Sequence, residues 1–197
     1  MVAVRVLVVW VAAVLIVSGC TGRAGGASPS ITATSDGTRA GLGGAGAGSA
    51  WLGCRDVIAS AAEPSPDLSV VFDQVALPTR RALQANHSGD ADSAVRWFAK
   101  VGLFVSRGAS FELIVPNEWL GHLSMAWGST TNRTTHLAVL GCPANEAEKR
   151  WSVYAGGFYV KDPACVSLLV KSGAREESVH IGVGAACSGQ EPPPPGQ

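Results

Sequence analysis

The sequence predicts an all-β fold, an antiparallel β-sandwich in immunoglobulin-like or jelly-roll style with about eight or nine strands and two disulfides. Three observations point there. Short apolar segments alternate with period two from Val57 onward, turn residues interrupt them at intervals of roughly 8 to 12 residues, and four cysteines fall in the same region.

In chain order the expected strands are Val57 to Ser60, Leu68 to Val75, Val95 to Val105, Phe111 to Val115, Leu123 to Trp127, Thr135 to Leu140, Trp151 to Tyr154, Val166 to Val170 and Val179 to Val183. Arg107-Gly108, Pro116-Asn117, Gly128, Asp162-Pro163 and Ser172-Gly173 supply the turns between them. Two segments are ambiguous: Asp92 to Lys100 could be a helix with Asp92 as its cap, and Ala144 to Arg150 could be a helical turn in a long connection, with Pro143 suiting its entry. Trp51 to Gln190 is the expected domain, large enough for one core. Residues 191–197, EPPPPGQ, form a proline-rich tail whose expected state is a frayed, extended terminus.

Upstream of this domain the composition changes twice. Val6 to Val17 is an unbroken apolar run behind a start carrying one charge, Arg5. Twelve helical residues cover roughly 18 Å against a hydrocarbon core of about 30 Å, so residues 1–19 read as a signal peptide and not as a membrane span. Thr21 to Ala50 is rich in Gly, Ala and Ser and has no aromatic residue, too little apolar surface to offset chain entropy, so residues 20–50 read as a linker.

The run ends in Val17-Ser18-Gly19-Cys20, which resembles the lipobox of bacterial lipoproteins. That resemblance implies cleavage before Cys20 and acylation of the Cys20 sulfur, hence a protein held by lipid on the extracytoplasmic face of a bacterial cell membrane, with the bilayer as its first partner. Cysteine arithmetic fits it. Five cysteines are an odd number for an exported chain, and lipidation of Cys20 leaves Cys54, Cys142, Cys165 and Cys187 for two disulfides. Of the three pairings, Cys142 with Cys165 and Cys54 with Cys187 is the favoured expectation. The first would close a local strand-turn-strand unit, and the second would tie the first strand to the last. No two cysteines have the spacing of a zinc knuckle.

From Leu103 to Cys187 the chain is similar to a group of uncharacterised exported lipoproteins of high-GC Gram-positive bacteria. The residues that carry the likeness are Phe111 to Pro116, Leu140-Gly141-Cys142-Pro143, Ala155 to Val160, Pro163 to Val166, and Ile181 to Gly184 with Cys187. The resemblance implies a shared fold and cysteines on either side of the Gly-Gly-Phe-Tyr segment. It implies no activity.

Function classes narrow by chemistry. Fifteen basic and fifteen acidic residues balance, and loss of Arg5 with the signal leaves a near-neutral domain without an electrostatic footprint for nucleic acid. No Gly-x-Ser-x-Gly elbow, phosphate-binding glycine loop or EF-hand spacing occurs, so the sequence predicts neither an enzyme nor a cofactor or metal. His87, His122, His136 and His180 lack metal-ligand spacing. One segment has two readings. Gly156-Gly157 could bend the chain and present Trp151, Phe158 and Tyr159 as a stacking surface for sugar rings, or it could be a structural bend with its aromatics in the core, the favoured reading. The expected role is thus a binding or structural module of the cell envelope, with an envelope protein or glycan as partner. The alternative is an envelope hydrolase with a loop-built site, which a cleft gathering His122 or His136 with a carboxylate and a serine would favour.

Overall fold

The computed structural model describes residues 49–89, 94–128, 132–144 and 150–194. Residues 1–48, which hold the expected signal peptide, Cys20 and most of the expected linker, lie outside them, as do residues 90–93, 129–131, 145–149 and 195–197.

The described residues are built from β-strands with two short 3-10 turns. In chain order the strands are β1 Ser49–Leu52, β2 Val57–Ala61, β3 Ser69–Val71, β4 Val75–Leu77, β5 Asn86–His87, β6 Trp97–Lys100 and β7 Leu103–Ser106; then β8 Ser110–Ile114, β9 Leu123–Trp127, β10 His136–Leu140, β11 Trp151–Tyr154, β12 Gly156–Val160, β13 Ala164–Ser172 and β14 Arg175–Val183. They form three sheets, ordered β1-β10-β8-β13-β14, β2-β11-β7-β4-β3 and β5-β6-β12-β9. Every pairing is antiparallel except β1 with β10.

The all-β expectation holds, and the strand count does not: the described residues form fourteen strands, not eight or nine. Two expected strands are each a pair. Leu68 to Val75 folds back at Phe72 and Asp73, both left-handed (φ 54° and 60°), with the Gln74 amide donating to the Val71 carbonyl. A turn of this kind normally calls for Gly or Asn, so an apolar stretch containing Phe72 conceals it. Val95 to Val105 is broken at Val101-Gly102, where the chain leaves the third sheet as β6 and enters the second as β7. The segment Asp92 to Lys100 therefore ends as strand, not helix. Three further strands were not expected: β1, which takes Ser49 and Ala50 from the expected linker, the short β5, and β12.

Strand β12 is the Gly156-Gly157 segment itself. The chain changes sheets at Ala155, between β11 and β12, opposite the place where β6 gives way to β7, so both strand pairs turn the same corner. Bonds across the corner run from the Val101 amide to the Gly156 carbonyl and from the Gly128 amide to the Ala155 carbonyl, 2.9 and 3.0 Å. A Cβ on Gly156 would collide with the Ala126 carbonyl oxygen, and one on Gly157 with that of Ala99 and with the Phe98 ring. Gly157→Ala is therefore expected to destabilise the domain by about 1 to 3 kcal/mol, read as a lower urea midpoint at unchanged slope.

One core joins the three sheets. Val105, Leu113, Met125, Phe158, Val166, Leu168 and Ile181 are wholly enclosed in it, and Trp127 meets Phe158 edge to face at 5.0 Å. Leu68, Ala76 and Trp151 make a small second cluster, with Val101 and Phe104 packed on it.

The cysteines pair as Cys54–Cys142 and Cys165–Cys187, which corrects the favoured expectation of Cys142 with Cys165 and Cys54 with Cys187. The topology gives the reason. Because β1 and β10 are parallel, both chains leave the same end of the sheet, and Cys54 and Cys142 each follow two residues after their strand. Strands β10 and β13 are not neighbours, since β8 lies between them. After β14 the chain returns beside the start of β13, where Ala164 bridges Gly184, and this brings Cys187 to Cys165.

Candidate functional groove

A surface groove lies at the corner at Val101-Gly102. Outward residues of β6 and β7, on adjoining sheets, form the floor of a groove of about 470 Å³. Phe98 and Lys100 share one face of β6 because side chains alternate along a strand. Their neighbours Trp97 and Ala99 point the other way, Ala99 into the core. The rest of the floor is Val101, Gly102 and the Phe104 ring; the walls come from Ser65, Asp67 and Leu68, from the stretch between Pro78 and His87, and from Pro194.

The aromatic part of the floor is held by a cross-strand neighbour, because Tyr159 is the register partner of Phe98 on the same face. Phe98 lies 4.5 Å from the Tyr159 ring, and the Arg133 guanidinium sits 4.0 Å from the Tyr159 centroid. Arg133 also donates to the Val95 carbonyl at 3.3 Å. His87 rests on Trp97 at 4.1 Å. Asn86 is the register partner of Phe98, so its side chain stands on the same face.

The tail supplies the remaining wall, and its first residues are fastened rather than frayed. The Ala82 amide donates to the Glu191 carbonyl and the Glu191 amide to that of Arg80, at 2.9 and 3.1 Å. The Gln190 amide group donates to the carbonyls of Thr79 and His180, at 3.0 and 3.2 Å, while its oxygen accepts from the Cys187 amide. Arg81 is doubly matched: its guanidinium donates to the Glu191 carboxylate and lies 3.7 Å from Asp67. The Glu191 hydrogen bond first, and then the Asp67 and Glu191 charges, hold Arg81 still further in its charged form. Lys100 has no carboxylate within ion-pair distance among the described residues.

The residues singled out from sequence are dispersed. Phe158 is core, Trp151 is buried in the second cluster on another sheet, and only Tyr159 borders the groove region, with its ring between Phe98 and Arg133. The stacking surface of Trp151, Phe158 and Tyr159, the less favoured of the two readings, is therefore not assembled, and Phe158 and Trp151 are buried as the favoured reading has them. Period-two alternation in Trp97-Phe98-Ala99-Lys100 already separates Phe98 and Lys100 from Trp97 and Ala99. Nothing local shows that residues 65–68, 78–87 and 194 wall them in.

Groups suited to hydrolysis come only in pairs among the described residues. His136 lies 3.5 Å from Glu112, and Thr134 Oγ1 donates to the His136 carbonyl. Ser167 Oγ is 3.3 Å from His180 Nδ1 across the β13–β14 ladder, with no carboxylate at ion-pair distance from that imidazole. His122 is exposed beside the 3-10 turn Asn117–Trp119. Elsewhere, burial first, and then the Asp56 charge, push the Tyr154 hydroxyl to a higher pKa; it sits 3.9 Å from Cys142 Sγ. No cluster of three metal-ligating side chains occurs among the described residues.

The chain matches no protein-family model, no curated protein and no solved structure.

Proposed function

We propose that this chain is a lipid-anchored extracytoplasmic lipoprotein of the bacterial cell envelope, a β-sandwich borne on a spacer and acting as a binding module through the groove at Val101-Gly102. The groove carries the reading. It combines an aromatic floor, convergent polar groups and walls tied down by the Gln190 and Glu191 contacts, the composition of a preformed ligand site. Three sheets around one core suit a sandwich whose corner strands pass between layers. Two disulfides suit an oxidising compartment. The Val17 to Cys20 lipobox and the linker account for attachment and reach, at roughly 30 Å of typical end-to-end distance.

Amide exchange of the full chain, with and without solubilised cell-envelope material, tests the groove. Slowed exchange confined to residues 78–87 and 97–104 is expected; unchanged exchange there would refute the reading.

A further inference from the structure

We infer that the groove takes a saccharide bearing a carboxylate, with one sugar ring against Phe98 and the anion on the Lys100 ammonium; this deepens the reading of the groove as a binding site. Three features of the lining select this chemistry. First, the Phe98 ring is an aromatic face fixed in place. Tyr159 supports it from one side, and the absence of a side chain at Gly157 lets it settle on the backbone of β12. A rigid, half-buried ring offers C–H-bearing surfaces a contact at little cost in side-chain entropy.

Second, the polar groups around it suit hydroxyls. Asn86 and Gln84 bring amides, Ser65 a hydroxyl and Asp67 an acceptor, all on walls of the same groove. A purely apolar ligand would leave these groups desolvated without partners.

Third, charge is unequally matched. Arg81 already has Glu191 and Asp67, whereas Lys100 has no carboxylate at ion-pair distance among the described residues and stands two residues from Phe98 on the same face. Two strand residues span roughly 7 Å, close to the width of a pyranose with an exocyclic carboxylate. A ring on Phe98 would thus bring its anion to Lys100, where a charge-assisted hydrogen bond forms.

Calorimetric titration of the full chain with trigalacturonate and with its carboxyl-reduced neutral counterpart tests this. The acid is expected to bind about tenfold more tightly than the neutral sugar, and Lys100→Gln to abolish that difference. Phe98→Leu should weaken both ligands while circular dichroism stays that of the parent; Lys100 is exposed, so its replacement leaves the fold intact. Equal binding of both sugars, unaffected by Lys100→Gln but weakened by Phe98→Leu, would overturn the acidic class and leave the groove as a saccharide site. Binding of neither sugar, or binding insensitive to Phe98→Leu, would overturn the saccharide assignment altogether. In that case groove protection by envelope material would assign the site to a ligand of another class, and its absence would remove the site as well.

Discussion

Replacing both Cys54 and Cys142 by serine is expected to lower the unfolding free energy by about 4 to 5 kcal/mol, against about 3 kcal/mol for the Cys165 and Cys187 pair. The difference follows from loop length. The first bridge closes a separation of 88 residues and the second one of 22, so the first removes more freedom from the unfolded chain. Position adds to it. Strand β1 has only four residues and lies at the edge of its sheet, held by a single parallel ladder to β10. Without Cys54–Cys142 that strand and the following turn Cys54–Asp56 lose the covalent link to the end of β10, and Leu52 would leave the core more readily. The Cys165–Cys187 bridge instead closes a region already joined by the β13–β14 ladder of nine residue pairs. Urea unfolding of the two double-serine chains gives both numbers. Equal losses, or a larger loss from the shorter loop, would contradict this ranking.

The second large effect is expected at Cys20. In cells fed labelled palmitate, the parent chain should carry label and Cys20→Ser should carry none. The thiol at Cys20 is the only nucleophile the lipobox resemblance offers to the lipid, and the four other cysteines are consumed in disulfides. Each buried methylene contributes about 0.8 kcal/mol to membrane attachment, so two or three acyl chains anchor durably where one would not. Label persisting in Cys20→Ser would refute lipidation at this residue.

Which parts of this fold could be read in advance follows from the range of the signals. Strands β9 and β11 were delimited to the residue because apolar alternation in Leu123 to Trp127 and Trp151 to Tyr154 is bounded by Gly128, Arg150 and the glycines at 156 and 157. Period two is a local property and survives in the sequence. The turn at Phe72-Asp73 left no such trace, because left-handed backbone at a bulky residue is held by its surroundings, including Arg175 over the Phe72 ring at 4.6 Å. Strand β12 was hidden for a related reason. Its two glycines look like a break, yet they serve close approach between neighbouring strands.

The disulfide pairing was illegible because it depends on strand order. Only the parallel ladder of β1 on β10, between segments distant in sequence, brings Cys54 to Cys142. The groove is illegible for the same reason: Phe98 and Lys100 are adjacent along one strand, but their walls come from residues up to Pro194. Sequence could identify an aromatic surface as a candidate and could not say which aromatics remain outside the core.

The most direct test of a lipid-anchored, doubly bridged exported module is peptide mass analysis of the unreduced protein from its native membrane. The account predicts an acylated amino-terminal peptide beginning at Cys20 and two cross-linked pairs, Cys54 with Cys142 and Cys165 with Cys187. An unacylated terminus, free thiols, or a peptide joining Cys142 to Cys165 would contradict it.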